Sequence, residues 1–209
     1  YDKKKINKED LESLKIKIKE KEIDGINVTV PFKKEIISHL DKLSHEAEIT
    51  QSVNTIFLKE NLVTGHNTDI AGFELALKNT NYDVKGKKIF IIGAGGVVPS
   101  IIFALNKLNV STIKISNRTK SKAENLKHLC RNLEIVNWGE IVEFDMVINA
   151  TSLGLKLDDK LNLDFLKNQK NKFFYDVIYN PPETNFLKIA KKLGNRTENG
   201  KKMFIYQAS

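Results

Sequence analysis

Ile89-Phe90-Ile91-Ile92-Gly93-Ala94-Gly95-Gly96 is a run of four large apolar residues that breaks off in glycine. A short apolar run closed by a turn reads as a strand buried on both faces, as in a parallel sheet. Gly93 permits a tight turn, and Gly95 lets backbone N–H groups approach an anion at the N-terminus of the following helix. Beyond this point strand-like stretches at Lys88–Ile92, Thr112–Ser116, Ile135–Asn137, Met146–Asn149 and Phe173–Val177 alternate with helical spacing near Val98–Leu108, Ser121–Arg131 and Thr184–Leu193. The alternation predicts an α/β fold whose parallel sheet carries helices on its faces.

Before Gly86 the pattern differs. Asn7 is placed to cap a helix with Leu11, Leu14 and Ile18 on one face. Ile26–Val30 is β-branched and stopped by Pro31, as at a strand end. Helical spacing returns with Ile36, Ile37, Leu40 and Leu43, and Lys59-Glu60-Asn61 separates two strand-like runs, Val53–Leu58 and Leu62–Val63, as a hairpin. The helix starting at Ile70 reads as a connector, giving one domain over 1–69 and a second over 70–209.

The 209 residues suffice for a buried core, and 41% hydrophobic with 29% charged residues is ordinary for a globular chain. A net charge of +8 is spread among 26 acidic residues with no aromatic platform, which argues against nucleic acid and suits an anionic cofactor or carboxylate substrate. Cys130 is the lone cysteine and the four histidines lack ligand spacing, so no metal is expected. The most apolar stretch, Ile89 to Leu105, is broken by glycine and proline, so no membrane span is expected. With no signal peptide visible, the cytoplasm is the expected location.

Several segments carry chemistry. Strand Thr112–Ser116 leads into Asn117-Arg118-Thr119, about 20 residues past the glycine turn, where a dinucleotide fold places its ribose reader. An acidic residue there would accept from a 2′-hydroxyl. Arg118, with Asn117, Thr119 and Lys122, instead suits a 2′-phosphate, so NADP is preferred over NAD; a solvated arginine at a strand end is the plain alternative. Lys33 follows the strand–proline stop and could move a proton. Asp69, after Asn67-Thr68, could face the same polar substrate or simply cap the connector helix. Asn54 could bind a polyol or be structural. The Asn149–Gly154 loop, containing Thr151, and the segment Asp176–Pro181 follow strands of the alternating region, where ligands of open α/β sheets lie.

Taken together, Asn-Val-Thr-x-Pro-x-Lys at 27–33, Val-Asn-Thr at 53–55, Asn-Thr-Asp at 67–69, Gly-Ala-Gly-Gly at 93–96, Asn-Arg-Thr at 117–119, Asn-Ala-Thr-Ser-x-Gly at 149–154, Tyr179 with Pro181, and Asn199-Gly200 through Gln207 resemble the shikimate dehydrogenase family in the family's order. The resemblance implies a substrate domain followed by a Rossmann-like NADP-binding domain, and reversible interconversion of shikimate and 3-dehydroshikimate in aromatic amino-acid precursor synthesis. It implies Lys33 as acid/base, with Asp69 as its partner at the substrate hydroxyls, and Thr29, Asn54, Tyr179 and Gln207 as shikimate contacts. Gly93, Ala94, Gly95, Gly96 and Val97 would cradle the pyrophosphate, Asn117, Arg118, Thr119 and Lys122 the adenosine 2′-phosphate, and Ile178, Gly200 and Met203 would border the nicotinamide. A homodimer is an open assembly.

The family's first strand and Ser-x-Ser carboxylate grip have no counterpart after Tyr1, and the closing helix, which returns to the substrate domain, stops soon after Gln207. An N-terminally incomplete substrate domain is therefore expected. The competing readings are an enzyme that also takes quinate and an NADP-binding chain without turnover.

Overall fold

The element boundaries follow from where apolar periodicity meets turn chemistry. The computed structural model describes residues 2–140, 142–156, 159 and 169–209. The chain divides into two units, Tyr1–Thr68 and Asp69–Ser209.

In the first unit, Asn7 opens a 3-10 turn whose Asp10 carboxylate accepts from the Asn7 backbone N–H at 2.8 Å. The turn runs into α1 (Leu11–Lys19), which buries Leu11, Leu14 and Ile18. The strands are β1 (Gly25–Asn27), β2 (Lys42–Leu43), β3 (Thr55–Lys59) and β4 (Leu62–His66), in the order β1-β3-β4-β2. Glu60 and Asn61, both at positive φ, form the two-residue turn that matches strand twist between β3 and β4. The core packs Ile36, Ala47, Val53, Ile56 and Val63 against the α1 stripe. Gly65 leaves room for these side chains: a Cβ there would lie 2.4 Å from Leu40 Cδ1, which would have to shift.

Several expectations change in this unit, the hairpin strands among them, which run over Thr55–Lys59 and Leu62–His66. β1 ends at Asn27, before the expected Val30, although the Val28 N–H still donates to the Asn54 carbonyl. The helical spacing through Leu43 fails. Only a 3-10 turn, Glu35–His39, forms; Leu40 is extended, and Lys42–Leu43 pairs in parallel with β4. Tertiary bonds overrode periodicity here, since Asp41 donates its N–H to the Val63 carbonyl and accepts at its carboxylate from both Val63 N–H and Lys15. Those two donors hold the Asp41 carboxyl below its usual range. Helix α2 (His45–Thr50) was not anticipated, although Ser44 caps it by accepting from the Ala47 N–H.

The second unit is built on a parallel six-stranded sheet of order β10-β9-β8-β5-β6-β7. Its strands are β5 (Lys88–Ile92), β6 (Thr112–Ser116), β7 (Leu133–Val136), β8 (Met146–Asn149), β9 (Phe173–Asp176) and β10 (Arg196–Glu198). The last was not read from the sequence. The helices are α3 (Asp69–Asn79), α4 (Val98–Lys107), α5 (Lys120–Glu124), α6 (Asn185–Lys192) and α7 (Lys201–Gln207). The long helix expected over Ser121–Arg131 is only α5 and a 3-10 turn, Lys127–Leu129. No helix among the described residues is long and apolar enough to cross a membrane.

One sheet face packs Phe90, Ile92, Val147 and Phe174 under Phe186, Leu187 and Ala190 of α6. Each such large side chain contributes about 1.5–3 kcal/mol by leaving water. On the other face Phe73 of α3 meets Tyr175 edge-on, ring centroids 5.3 Å apart. Gly72 brings α7 against α3, since a Cβ there would lie 2.8 Å from Gln207 Cβ.

The Tyr175 hydroxyl is buried without a hydrogen-bond partner among the described residues. A buried polar group left unpaired costs about 1–3 kcal/mol. Tyr175→Phe should therefore leave stability unchanged or raise it by about 1 kcal/mol in urea unfolding. A clear loss of stability would mean that the hydroxyl has a partner.

Candidate active site

In the first unit, Val53 and the buried Asn54 hold the segment that carries Thr29 and Lys33. Asn54 is 3% exposed. Its Nδ2 donates to Thr68 Oγ1 at 2.9 Å, while its Oδ1 accepts from Thr68 N–H at 2.9 Å and from Thr55 Oγ1 at 3.2 Å. Its backbone carbonyl accepts from Val28, next to Thr29, and the adjacent Val53 N–H donates to the Lys33 carbonyl at 2.8 Å. The Asn27-to-Lys33 segment is thus tied at both ends to residues 53 and 54. Thr29 is exposed and Lys33 half-buried, in the turn after the cis Val30–Pro31 bond. Asn67 donates to Thr50 Oγ1 at 3.0 Å, which fixes the end of β4.

In the second unit the sheet order reverses between β5 and β8, which makes the ends of these strands a topological switch point, the place where open α/β sheets bind ligands. Gly93 leaves β5 with φ 108°, and a Cβ on it would lie 2.8 Å from the Ala150 carbonyl oxygen. Only glycine satisfies both conditions. Gly95 and Gly96 are exposed and Val97 half-buried, leading into the N-terminus of α4, where Pro99 fits the first turn. The first N–H groups of a helix have no intrahelical acceptor, so the turn offers donors to an anion.

Asn117 joins this turn to the end of β6. Its Oδ1 accepts from Ala94 N–H at 3.1 Å and its Nδ2 donates to the Thr119 carbonyl at 2.8 Å. The amide is thereby engaged with the chain itself, while Arg118, Thr119 and Lys122 are exposed. The residue that follows the clamp is thus an exposed arginine, and the strand end carries no carboxylate.

Across the switch point the ends of β8 and β9 are organised by Asp176, which is fully buried. Its Oδ1 accepts from Ile178 N–H at 3.0 Å and Asn149 Nδ2 at 3.1 Å, and its Oδ2 accepts from Thr184 Oγ1 at 2.5 Å. Asn149 in turn accepts from the N–H and hydroxyl of Thr151 and donates to the Leu153 carbonyl. Ile178 passes the constraint on, its carbonyl accepting from Gly200 N–H. A Cβ on Gly200 would fall 2.1 Å from the Val177 carbonyl oxygen, so the backbones meet there. Burial pushes the Asp176 carboxyl up to about 6 against the pull of its three donors.

Of the remaining expected residues, Tyr179 is 44% exposed and stacks on Phe204 of α7 with centroids 4.5 Å apart. Met203 is buried, and Gln207 lies against Gly72 of α3, the helix that starts with the buried Asp69. Among the described residues no group of three or more His, Cys, Asp or Glu is arranged to hold a metal. The sequence reading places Asp176 in a ligand-facing segment and Thr184 at a helix start, without the brace between them. The signal was present, since an acidic residue closes the all-apolar run Phe173-Phe174-Tyr175 and a threonine precedes helix α6.

The chain matches two family profiles, one described as the shikimate dehydrogenase substrate binding domain over residues 1–56 and one as shikimate / quinate 5-dehydrogenase over 74–186. It is 57% identical over 208 residues to a shikimate dehydrogenase (NADP(+)) of Pelagibacter ubique, covering 100% of this chain and 78% of that one. A crystal structure of shikimate dehydrogenase in complex with NADP+ superposes with a TM-score of 0.90 at 35% identity, covering 97% and 74% of the two chains. A ligand-free 5-ketofructose reductase of Gluconobacter superposes at 0.88 and 33% identity, covering 98% and 77%.

The raised Asp176 carboxyl makes a signed prediction. The unfolded chain releases this proton near pH 4 and the folded chain near pH 6, so between those values the folded state holds more protons and loses stability as pH rises. Asp176→Asn removes the titration. The stability of the native chain relative to this variant should fall by about 2 kcal/mol from pH 4.5 to 7, measured by urea unfolding. A difference independent of pH would show that the carboxyl has its ordinary value.

Proposed function

The chain belongs to the shikimate dehydrogenase family, and from that premise we propose that it catalyses the reversible NADPH-dependent reduction of 3-dehydroshikimate to shikimate, the step of the shikimate pathway that leads toward chorismate and the aromatic amino acids. The observation that carries this reading is the Asn117 clamp. It joins a glycine turn at a helix N-terminus to an exposed Arg118, pairing donors for a pyrophosphate with a guanidinium for a 2′-phosphate.

The residues present fit NADP. A Cβ on Gly95 would touch only the Ala150 oxygen, at 3.6 Å, so this turn is open on its outer side. We assign Gly93, Ala94, Gly95, Gly96 and Val97 to the pyrophosphate, and Arg118, Thr119 and Lys122 to the 2′-phosphate, with Asn117 holding the two loops together. Thr151, Ile178, Gly200 and Met203 are assigned to the nicotinamide half. When bound, the cofactor supplies hydride transfer; the chain supplies binding, orientation and the proton.

Oxidation of the substrate carbinol releases a proton from its hydroxyl as hydride leaves the carbon. We assign Lys33 to take that proton, and to return it in the direction of reduction. Asp69, Thr29, Asn54, Tyr179 and Gln207 are assigned to orient the polyol ring. The Asn54 side chain is engaged by Thr68 and Thr55, while the main chain of Val53 and Asn54 holds the 27–33 segment, so the contribution of Asn54 includes fixing where that segment stands. We take the enzyme to act on a small molecule in the cytoplasm, as a monomer or homodimer, without nucleic acid. The shikimate / quinate profile favours quinate as the second substrate to test.

NADPH formation from shikimate, with quinate and NAD as controls, tests the reading; silence with every pair would refute it. Lys33→Ala should lower kcat about a hundredfold or more with a much smaller rise in KM; a kcat equal to that of the parent removes Lys33 from the mechanism. Arg118→Ala should weaken NADP about tenfold while barely touching NAD, measured as kcat/KM for each cofactor. Equal losses would refute a 2′-phosphate role.

A further inference from the structure

The three hydrogen bonds on Asp176 are not spread at random over the unit. They join the three segments at the β8 and β9 side of the switch point: the loop beginning at Asn149, the backbone at Ile178, and the N-terminus of α6 at Thr184. Thr184 is 2% exposed and caps α6 by accepting from Leu187 N–H. Its methyl side packs on the same loop, because a Cβ on Gly154 would lie 3.3 Å from Thr184 Cγ2 and 3.5 Å from Ile178 Cδ1. Thr184 therefore braces the loop directly with its methyl group and, through its hydroxyl on Asp176, both Asn149 and Ile178.

We propose that Thr184, acting through the Asp176 carboxylate, is a positioning residue that holds the nicotinamide half of the cofactor site in its binding geometry. The inference rests on the assignment of Thr151, Ile178 and Gly200 to that half. The physical argument is one of satisfaction. A fully buried carboxylate is tolerable only while its lone pairs are filled, so removing the Thr184 donor leaves Oδ2 unpaired. The least costly relief is to draw water or another donor inward, which displaces the segments that share the carboxylate, and these are the assigned cofactor walls. The glycine turn and Arg118 have a hydrogen-bonded clamp of their own, through Asn117 at the ends of β5 and β6, and meet the network's loop by packing, where Ala150 and Thr151 lie beside Gly93. The two halves of the site thus depend on different hydrogen-bonding side chains, Asp176 and Asn117.

That separation gives a test that does not depend on turnover. Binding of NADPH by fluorescence and of 2′,5′-ADP by calorimetry is compared in the native chain, Thr184→Val and Thr184→Ser, with a melting curve for each. Valine keeps the shape without the donor and serine keeps the donor. Thr184→Val should raise the Kd of NADPH about tenfold and that of 2′,5′-ADP by less than about twofold, with Thr184→Ser close to native. Equal weakening of both ligands, or of neither, would overturn the proposal, as would a serine variant no better than valine. Should Thr184→Val not fold, Asp176→Ala, which removes the shared acceptor and leaves no charge buried, must show the same selective loss. A native chain that binds neither ligand would refute the NADP assignment as well; a native chain that binds both while the variants behave identically to it refutes this inference alone.

Discussion

Taking a polar side chain out of water is tolerable only when each of its hydrogen bonds is replaced, and both units fix their functional loops by that constraint. In the first unit Asn54 is the fixed point, its side-chain amide shared by Thr55 and Thr68 and its backbone carbonyl accepting from Val28. In the second it is Asp176, filled by Thr184, Asn149 and Ile178. In each case a strand end is where the polar side chain stands, because the sheet ladder stops there and the loops that follow need other partners. The loops are held as parts of the buried framework.

The core makes that arrangement affordable. β5, β8 and β9 are buried on both faces, and the aromatic set Phe90, Phe144, Phe174 and Phe186 fills the space under α6. Pairs of such rings add about 0.5–1.5 kcal/mol beyond the area they bury, which exceeds what exposed ion pairs such as Lys88–Glu143 supply. With stability drawn from the sheet, the strand ends are free to carry chemistry. Gly93 and Gly200 mark where backbones approach too closely for any side chain, one beside Ala150 and the other beside Val177. Both lie on segments we assign to the cofactor.

Much of this was legible beforehand, for definite reasons. β5, β6 and β8 stand where apolar runs broke at glycine or asparagine, and α4 and α6 stand within a residue of their expected limits, since long, strongly patterned elements carry their own signal. Short elements did not. Lys42–Leu43 became a strand because Asp41 found Lys15 and Val63, partners distant in sequence that no local pattern contains. The expected helix after Thr119 shortened to α5, with Leu126 and Leu129 continuing only in 3-10 geometry.

The sequence by itself determined the class of the second unit, the place of the glycine turn, and the residue types that could bind an anion or move a proton. These are local properties: turn chemistry, side-chain charge and the period of apolar residues. Only the tertiary structure decided how those residues are employed. Asn117 reads in sequence as a ligand contact, yet its amide ties two loops together. Asp176 and Thr184 read as an ordinary strand end and helix start, yet their hydrogen bond at the end of β9 braces the loop after β8. The physical reason is burial. A polar group's role depends on whether water or the chain completes its hydrogen bonds, and that is fixed only when distant segments close around it.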